Sequence, residues 1–434
     1  MPPAVAKTIQ QVERNVKQLP RGTNINLFRL IMTILSGKFL ESRGALFTAL
    51  EASGYGKDEI YRISESLRCG VWNIDELIAS QLVQMKLSRV WKPQEREGYR
   101  VIGVDLTAIF RPKLQGEVGK YHHGPSGKAI SGIGYGLLVE VGQVNDRRVS
   151  VVRKIVTETP DSKGQTSLKK RTLQIVGRNL QANEIAVHDA GSNPAEFQAT
   201  GIARWVLRMA KNCTARRNTV MQTGRGRRRE YGNLVRPLAR KRKGKSITAS
   251  EADEEHKFEH QGRSIVAKVW RNLVCTKQKT APDNQLFDIW VFEDPKYTDP
   301  LVLATNVTAL KPKSVYLIYS DRWLVEHPPL VAKQLLGMHR QFVFNPTARQ
   351  RLGALGLLAG NILSLLAASL PVQRTNFWDR TPKRTAGRLR RQLAKWDFSK
   401  YVPRNPHISK KASVTSHLPK GVIAHRRLKT QFSA

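Results

Sequence analysis

YRVIGVDL (residues 99–106) is a run of β-branched and apolar residues with a carboxylate, Asp105, close to its end, and the reading of the fold starts there. Val and Ile at this density favour a strand over a helix. Two runs of the same kind follow, GYGLLVEVG (134–142) and RRVSVVRKIVTET (147–159), with Gly- and Asp-containing connections between them. They predict consecutive strands of one sheet. A polar helix is expected over SLKKRTLQIVGRNLQ (167–181), then an apolar strand in EIAVHDAG (184–191) that leads into Asp189. After AEFQATGI (195–202), RWVLRMA (204–210) reads as a further strand. Strand, helix, strand predicts an α/β fold with a mixed sheet over residues 99–210.

Outward from this core, residues 1–98 are patterned for helices. TNINLFRLIMTILSGKF (23–39), RGALFTALEASGYG (43–56) and VWNIDELIASQLVQMKL (71–87) carry apolar residues at three- and four-residue spacing, as a small helical bundle requires. On the other side, residues 211–245 hold thirteen Lys and Arg against one acid, Glu230, in runs such as RGRRRE (225–230) and ARKRKGK (239–245). RSIVAKVWRNLVCTK (263–277), LFDIWVFED (286–294) and PLVLATNV (300–307) are strand-like, so residues 211–309 read as a basic, β-rich insertion before the core resumes over 310–371. GALGLLAGNILSLLAASL (353–370) approaches the length and apolarity of a membrane span, but Asn361, two serines and three glycines predict a helix buried in an α/β domain. Beyond Pro371, residues 372–434 hold sixteen Lys and Arg against Asp379 and Asp397, with Phe377, Trp378, Trp396 and Phe398 interleaved. A disordered basic tail and an ordered DNA-contacting segment both fit that composition.

Lys and Arg number 73 against 34 Asp and Glu, a net charge of +39 over 434 residues. So large an excess calls for a polyanionic partner, and nucleic acid is the natural one. A membrane surface is the competing partner, but neither a basic amphipathic helix nor a lipidation motif accompanies the charge. Cys69, Cys213 and Cys275 are scattered and never form a CxxC pair, which excludes a disulfide framework or a zinc site as the organising element. The opening MPPAVAKTIQQVERN has no apolar core of the signal-peptide kind, and the expected compartment is the cytoplasm.

Three acids share a context suited to chemistry. Asp105 and Asp189 follow predicted strands, and Glu326 closes the helix-like stretch VYLIYSDRWLVE (315–326). Carboxylates at strand ends face the crevice of an α/β sheet. Hard divalent cations take such oxygen ligands, and a pair about 3.5–4 Å apart can serve both oxygens of an in-line phosphoryl displacement. A single acid is more often a cap or an ion-pair partner, so the argument rests on the set. Asp321 lies five residues from Glu326 and therefore off its helical face. His122 and His123 sit beside a glycine-rich segment, YHHGPSGKAISGIGYG (121–136), whose spacing fits neither a metal site nor a phosphate cradle. It reads as a loop near the active site.

In YSDRWLVEHPPLVAK (319–333), Tyr319, Arg322, Glu326 and Lys333 stand in a spacing that resembles the YREK motif of bacterial insertion-sequence transposases of the DDE class. On a helix the first three share a face, where a phenol, a guanidinium and a carboxylate can surround one phosphate. The resemblance covers roughly residues 99–370, with VIGVDLTAIF (101–110) and AVHDAGSNPAEF (186–197) similar to the family's two aspartate strands. It implies a ribonuclease H-like core with a β-strand insertion. It also implies that Asp105, Asp189 and Glu326 hold two Mg²⁺ ions, with Mn²⁺ as a substitute, and that Tyr319, Arg322 and Lys333 grip phosphates. The activity it implies is cleavage of transposon DNA ends and strand transfer into target DNA by a homodimer on double-stranded DNA, with residues 1–98 binding the terminal inverted repeats. The chain departs from the family in two places. Pro328 and Pro329 predict a break near His327. Where hairpin-forming members place a base-stacking tryptophan, this chain has Pro300 and Leu301, leaving Tyr297, Trp290 and Trp270 as candidates against an ordinary core role. Two other functions share these features: a basic nucleic-acid-binding protein without catalysis, and a related metal nuclease that does not join strands.

Overall fold

The computed structural model describes residues 1–114, 119–158, 167–220, 229–242, 244–372, 374 and 376–411. At its centre lies β1 (Tyr99–Phe110). Alternation along this strand turns Val101, Gly103, Asp105, Thr107 and Ile109 to one face of the sheet and Ile102, Val104, Leu106 and Ala108 to the other. β2 (Lys128–Val144) pairs antiparallel with β1, and β3 (Arg147–Thr157) pairs antiparallel with β2. β4 (Glu184–His188) lies parallel to β1 on its other side, and β5 (Trp205–Arg208) lies parallel to β4. The mixed α/β sheet expected over residues 99–210 is therefore present. AEFQATGI (195–202) is largely a helix, and β1 and β2 extend as a longer hairpin than the sequence pattern indicates.

Residues 263–305 supply the three strands expected there, β6 (Arg263–Val274), β7 (Phe287–Glu293) and β8 (Leu301–Thr305). They build no separate module. β8 bonds antiparallel to β5, and β7 and β6 follow, so one sheet of fourteen strands among the described residues runs through both regions. The pairing covers an edge of β5 that would otherwise offer unpaired backbone groups. Of the basic runs, residues 225–228 and 243 lie outside the described residues, and Arg240–Arg242 pairs with Lys245–Ile247 in a small hairpin of its own.

Four of the helices before the sheet are α1 (Pro3–Val16), α2 (Thr23–Leu35), α3 (Lys57–Cys69) and α4 (Ile74–Ser88). α5 (Leu168–Asn179), capped by Ser167, and α6 (Pro194–Ala199), opened by an Asn193 and Glu196 capping box, cover the sheet face that carries Val104. The opposite face receives α7 (Pro312–Asp321), a 3-10 turn (Arg322–Glu326), α8 (His327–Gln334) and α9 (Pro346–Ser369). α10 (Ala386–Ala394) follows. The amino-terminal helices share one apolar core with α9 and α10, in which Phe28, Leu30 and Ile63 join Leu355, Ile362 and Leu389.

The apolar stretch 353–370 is therefore a core helix, with 89% of its most apolar window buried. Its all-round apolarity reflects neighbours on every side. Gly360 lets α8 come close, since a Cβ there would lie 2.6 Å from the Pro328 carbonyl oxygen. Asn361 is 1% exposed and bonded through both amide atoms: its Nδ2 donates to the Ser150 carbonyl at 2.7 Å, and its Oδ1 accepts from the Val152 N–H and Gln81 Nε2, both at 3.1 Å. The first part of the basic carboxyl-terminal region also docks. Leu393, Phe398 and Ile408 enter the core, Tyr401 donates to Glu13 at 3.0 Å, and Asn24 donates to the His407 carbonyl at 2.7 Å. Residues 412–434 of that region lie outside the described residues.

Replacing Asn361 by Leu keeps the branched outline of the side chain but strands the Ser150 and Val152 backbone groups and the Gln81 amide. Chemical unfolding is expected to show a loss of about 3 kcal/mol or more, with Asn361→Ala no better.

Candidate active site

The register of the parallel strands sets the site. β1 and β4 last pair at Gly103 and Val187, and Asp105 and Asp189 each lie two residues further on, pointing to the same face of the sheet. Asp105 does not end its strand, contrary to the sequence pattern, because β1 continues to Phe110 against β2. It lies instead where the parallel pairing stops, and there the sheet opens beside it. β5 repeats the offset: Val187 pairs with Val206, so Asp189 stands next to Arg208.

Gly103 allows the third acid to approach. A Cβ on Gly103 would lie 3.2 Å from Val325 and 3.7 Å from the Arg322 carbonyl, so the 3-10 turn Arg322–Glu326 rests directly on β1. The break expected near His327 falls earlier, at Arg322, and α8 starts at His327 with both prolines in its first turn. Proline is tolerated there because first-turn N–H groups have no partner within the helix. The end of α7 brings Tyr319, and the turn brings Arg322 and Glu326, to the aspartates. Tyr319 donates its hydroxyl to Asp189 Oδ1 at 3.2 Å, and Arg322 Nη2 lies 3.3 Å from Asp189 Oδ2 and 3.0 Å from Glu326 Oε1. Lys333 reaches the same area from α8, donating to Thr107 Oγ1 at 2.7 Å. Asp321 is buried and pairs with Arg96 and Arg148, away from this cluster.

Electrostatics separate the two aspartates. Burial, helped by the charges of Glu326 and Asp189, pushes Asp105 up to about 6 against the pull of Arg322. Burial acts on Asp189 as well, but Arg322, the Ala190 N–H, Arg208 and Tyr319 outweigh it and hold its carboxyl below the usual range. Arg322, whose side chain is only 4% exposed, is opposed by burial yet held firmly charged by Asp189, Tyr319, Asp105 and Glu326. Burial lowers Lys333 and raises the Tyr319 phenol, so Tyr319 stays a donor at neutral pH.

An open cleft of about 560 Å³ lies in front of the aspartates, with His122, His188, Arg208 and Lys211 in its wall. His122 thus lies at the site, as its sequence suggested, but not on a loop: Gly119–His123 is a short strand that pairs with Lys128–Gly132 around a turn at Gly124–Ser126. His188 is buried behind Asp189, with its Nδ1 at 2.8 Å from the Asp189 carbonyl, and burial lowers its pKa. Trp270 and Trp290 are core residues, 2% and 1% exposed, whereas Tyr297 is 57% exposed.

The donor chemistry suits a hard divalent cation: three carboxylates on one face, with cationic side chains drawn in among them. Among the described residues, however, no three acid, imidazole or thiol groups stand close enough together to hold an ion as placed. Arg322 instead bridges Asp189 and Glu326. No protein-family model matches the chain, and no curated protein matches it.

Sequence reading missed Arg208, Thr107 and Gly103. Strand alternation alone puts Gly103 and Thr107 on the face of Asp105, whereas Arg208 also needs the register of β5 against β4.

Because its pKa is raised on folding, Asp105 weakens the fold when ionised. That cost is absent below the unfolded value near 3.8 and complete above about 6. Asp105→Asn should therefore be more stable than the parent at pH 7, by about 1–3 kcal/mol, with the gain fading between pH 6 and 4. Urea unfolding at pH 7, 5 and 4 checks this; a less stable variant at pH 7 would contradict it.

Proposed function

We propose that this chain is a DNA transposase of the DDE class, which cuts transposon ends and joins the freed 3′-OH to target DNA at Asp105, Asp189 and Glu326 in a ribonuclease H-like core. The observation that carries this reading is the in-register placement of the two aspartates, with Tyr319, Arg322 and Glu326 laid against them by the end of α7 and the turn that follows it. The order β3-β2-β1-β4-β5, antiparallel then parallel, supports the core assignment. The net charge of +39 supports DNA as the partner.

In this reading Asp105 and Asp189 are both carboxylates at neutral pH, the first because its value of about 6 still lies below 7. Asp105, Asp189 and Glu326 would hold Mg²⁺, which when bound supplies Lewis-acid stabilisation to the attacking and leaving oxygens. Tyr319 offers a hydroxyl donor, and Arg322, Arg208 and Lys333 offer cations, to the phosphates beside the scissile bond. Hydrolysis and strand transfer are both single displacements at phosphorus, so one set of residues serves both. Action across two DNA ends implies a pair of subunits.

One observation favours a second reading. Arg322 already neutralises Asp189 and Glu326, as would suit a protein that binds DNA without cutting it. Mg²⁺-dependent cleavage and strand transfer on labelled DNA carrying the ends that flank the gene separates the two. The expected result is that the parent cuts and joins, while Asp189→Asn and Glu326→Gln bind DNA normally but lose at least about 100-fold in both steps. A parent that binds and never cuts selects the second reading. Variants that cut as well as the parent remove these residues from the chemistry.

A further inference from the structure

A second groove opens at the far end of β1. It measures about 750 Å³ and is bounded by Phe110–Leu114 on one side and by Arg340–Phe342, Phe344 and Arg349 on the other. Two of its aromatic rings face solvent: Phe342 is 54% exposed and Phe344 is 74% exposed. Arg111 is fixed between them, donating to the Val343 carbonyl at 3.0 Å while its guanidinium lies 5.8 Å from the Phe342 ring centre and 5.3 Å from that of Phe344. Arg349 is 9% exposed, and its buried Nε has no hydrogen-bond partner among the described residues. Burial and the neighbouring Arg349 charge both lower the pKa of Arg111, as expected where two cations converge.

Exposed aromatic faces interleaved with guanidinium groups have a specific complement. Unpaired bases stack on the rings, and the phosphates between them answer the cations. A folded duplex hides its base faces and would leave both rings in water. We propose that this groove is a stacking subsite for unpaired nucleotides of a DNA strand, with bases on Phe342 and Phe344 and phosphates at Arg111 and Arg340. The location suits a strand that also passes the carboxylates, a point that rests on the function proposed above. Arg111, one residue past the end of β1 and still bonded through its N–H to the Ser131 carbonyl, continues the alternation of Asp105 and Thr107, and Phe110 lies five residues beyond Asp105. At about 3.4 Å per residue that is roughly 17 Å, the length of about five stacked nucleotides.

The test needs neither metal nor cleavage. The affinity of the full chain for a fluorescein-labelled twelve-nucleotide oligothymidylate and for a duplex of equal length is measured by anisotropy for the parent, Phe342→Ala/Phe344→Ala and Phe344→Trp. Thermal melting reports that each variant is folded. The expected result is a loss on the order of tenfold in single-strand affinity for the double variant, with duplex affinity unchanged and Phe344→Trp retaining single-strand binding. Equal single-strand affinity in parent and double variant, or equal losses on both DNAs, overturns the proposal. Stacking without any Mg²⁺-dependent cleavage by the parent would sink the transposase reading and leave the groove assignment standing; cleavage without stacking would do the reverse.

Discussion

Parallel pairing of β1, β4 and β5 in fixed register is the constraint on which the rest of the site depends. A shift of one residue in any of these strands would send its side chains to the opposite face. Asp105, Asp189 and Arg208 would then no longer share a crevice, and the turn that carries Arg322 and Glu326 would meet an apolar surface. Two features guard the register. Antiparallel β2 grips β1 along nine consecutive residue pairs, from Ile102 with Glu140 to Phe110 with Gly132. β8 closes the open side of β5.

Charge is balanced at both ends of these strands, with different consequences. Where β4 begins, Glu184 is 1% exposed and is held by Arg100 and Arg153, which also reach Glu140. In that cluster each buried carboxylate meets two guanidinium groups, the pairing a buried ionic group needs if it is not to weaken the fold. Where β4 ends, Asp189 and Glu326 retain about a third of their side-chain exposure beside an open cleft, while Arg322 is buried beneath them. The same residue types thus make a structural anchor at one end and an accessible, electrostatically tense cluster at the other.

Much of this was legible in the sequence, for reasons specific to each element. Dense Val and Ile made β1 through β4 readable, and the spacing of Tyr319, Arg322 and Glu326 pointed to side chains that do stand together beside Asp189, even though much of that stretch is a 3-10 turn. Local pattern could not reveal where strand pairing stops, so Asp105 looked like a strand end. Nor could it show that β8 joins β5, because that contact links positions a hundred residues apart, such as Trp205 and Thr305. Arg208 was hidden for a related reason: its role depends on lying beside Asp189 across two strands, which only the register discloses. The membrane-like look of α9 was resolved by its one buried amide, Asn361, which has three partners within the protein.

Docking of residues 386–408 against the first helices has a consequence for how the chain is made. α1, α2 and α3 present apolar faces to α9 and to residues such as Phe398 and Ile408, so nothing within the first hundred residues can cover those faces fully. During synthesis these helices emerge early and wait for more than two hundred residues before their partners appear, and contacts such as Asn24 to His407 close among the last. Contacts this distant in sequence form slowly, and an uncovered apolar surface in the meantime invites aggregation. The nascent amino-terminal region is therefore the part of this protein with the greatest need of a chaperone.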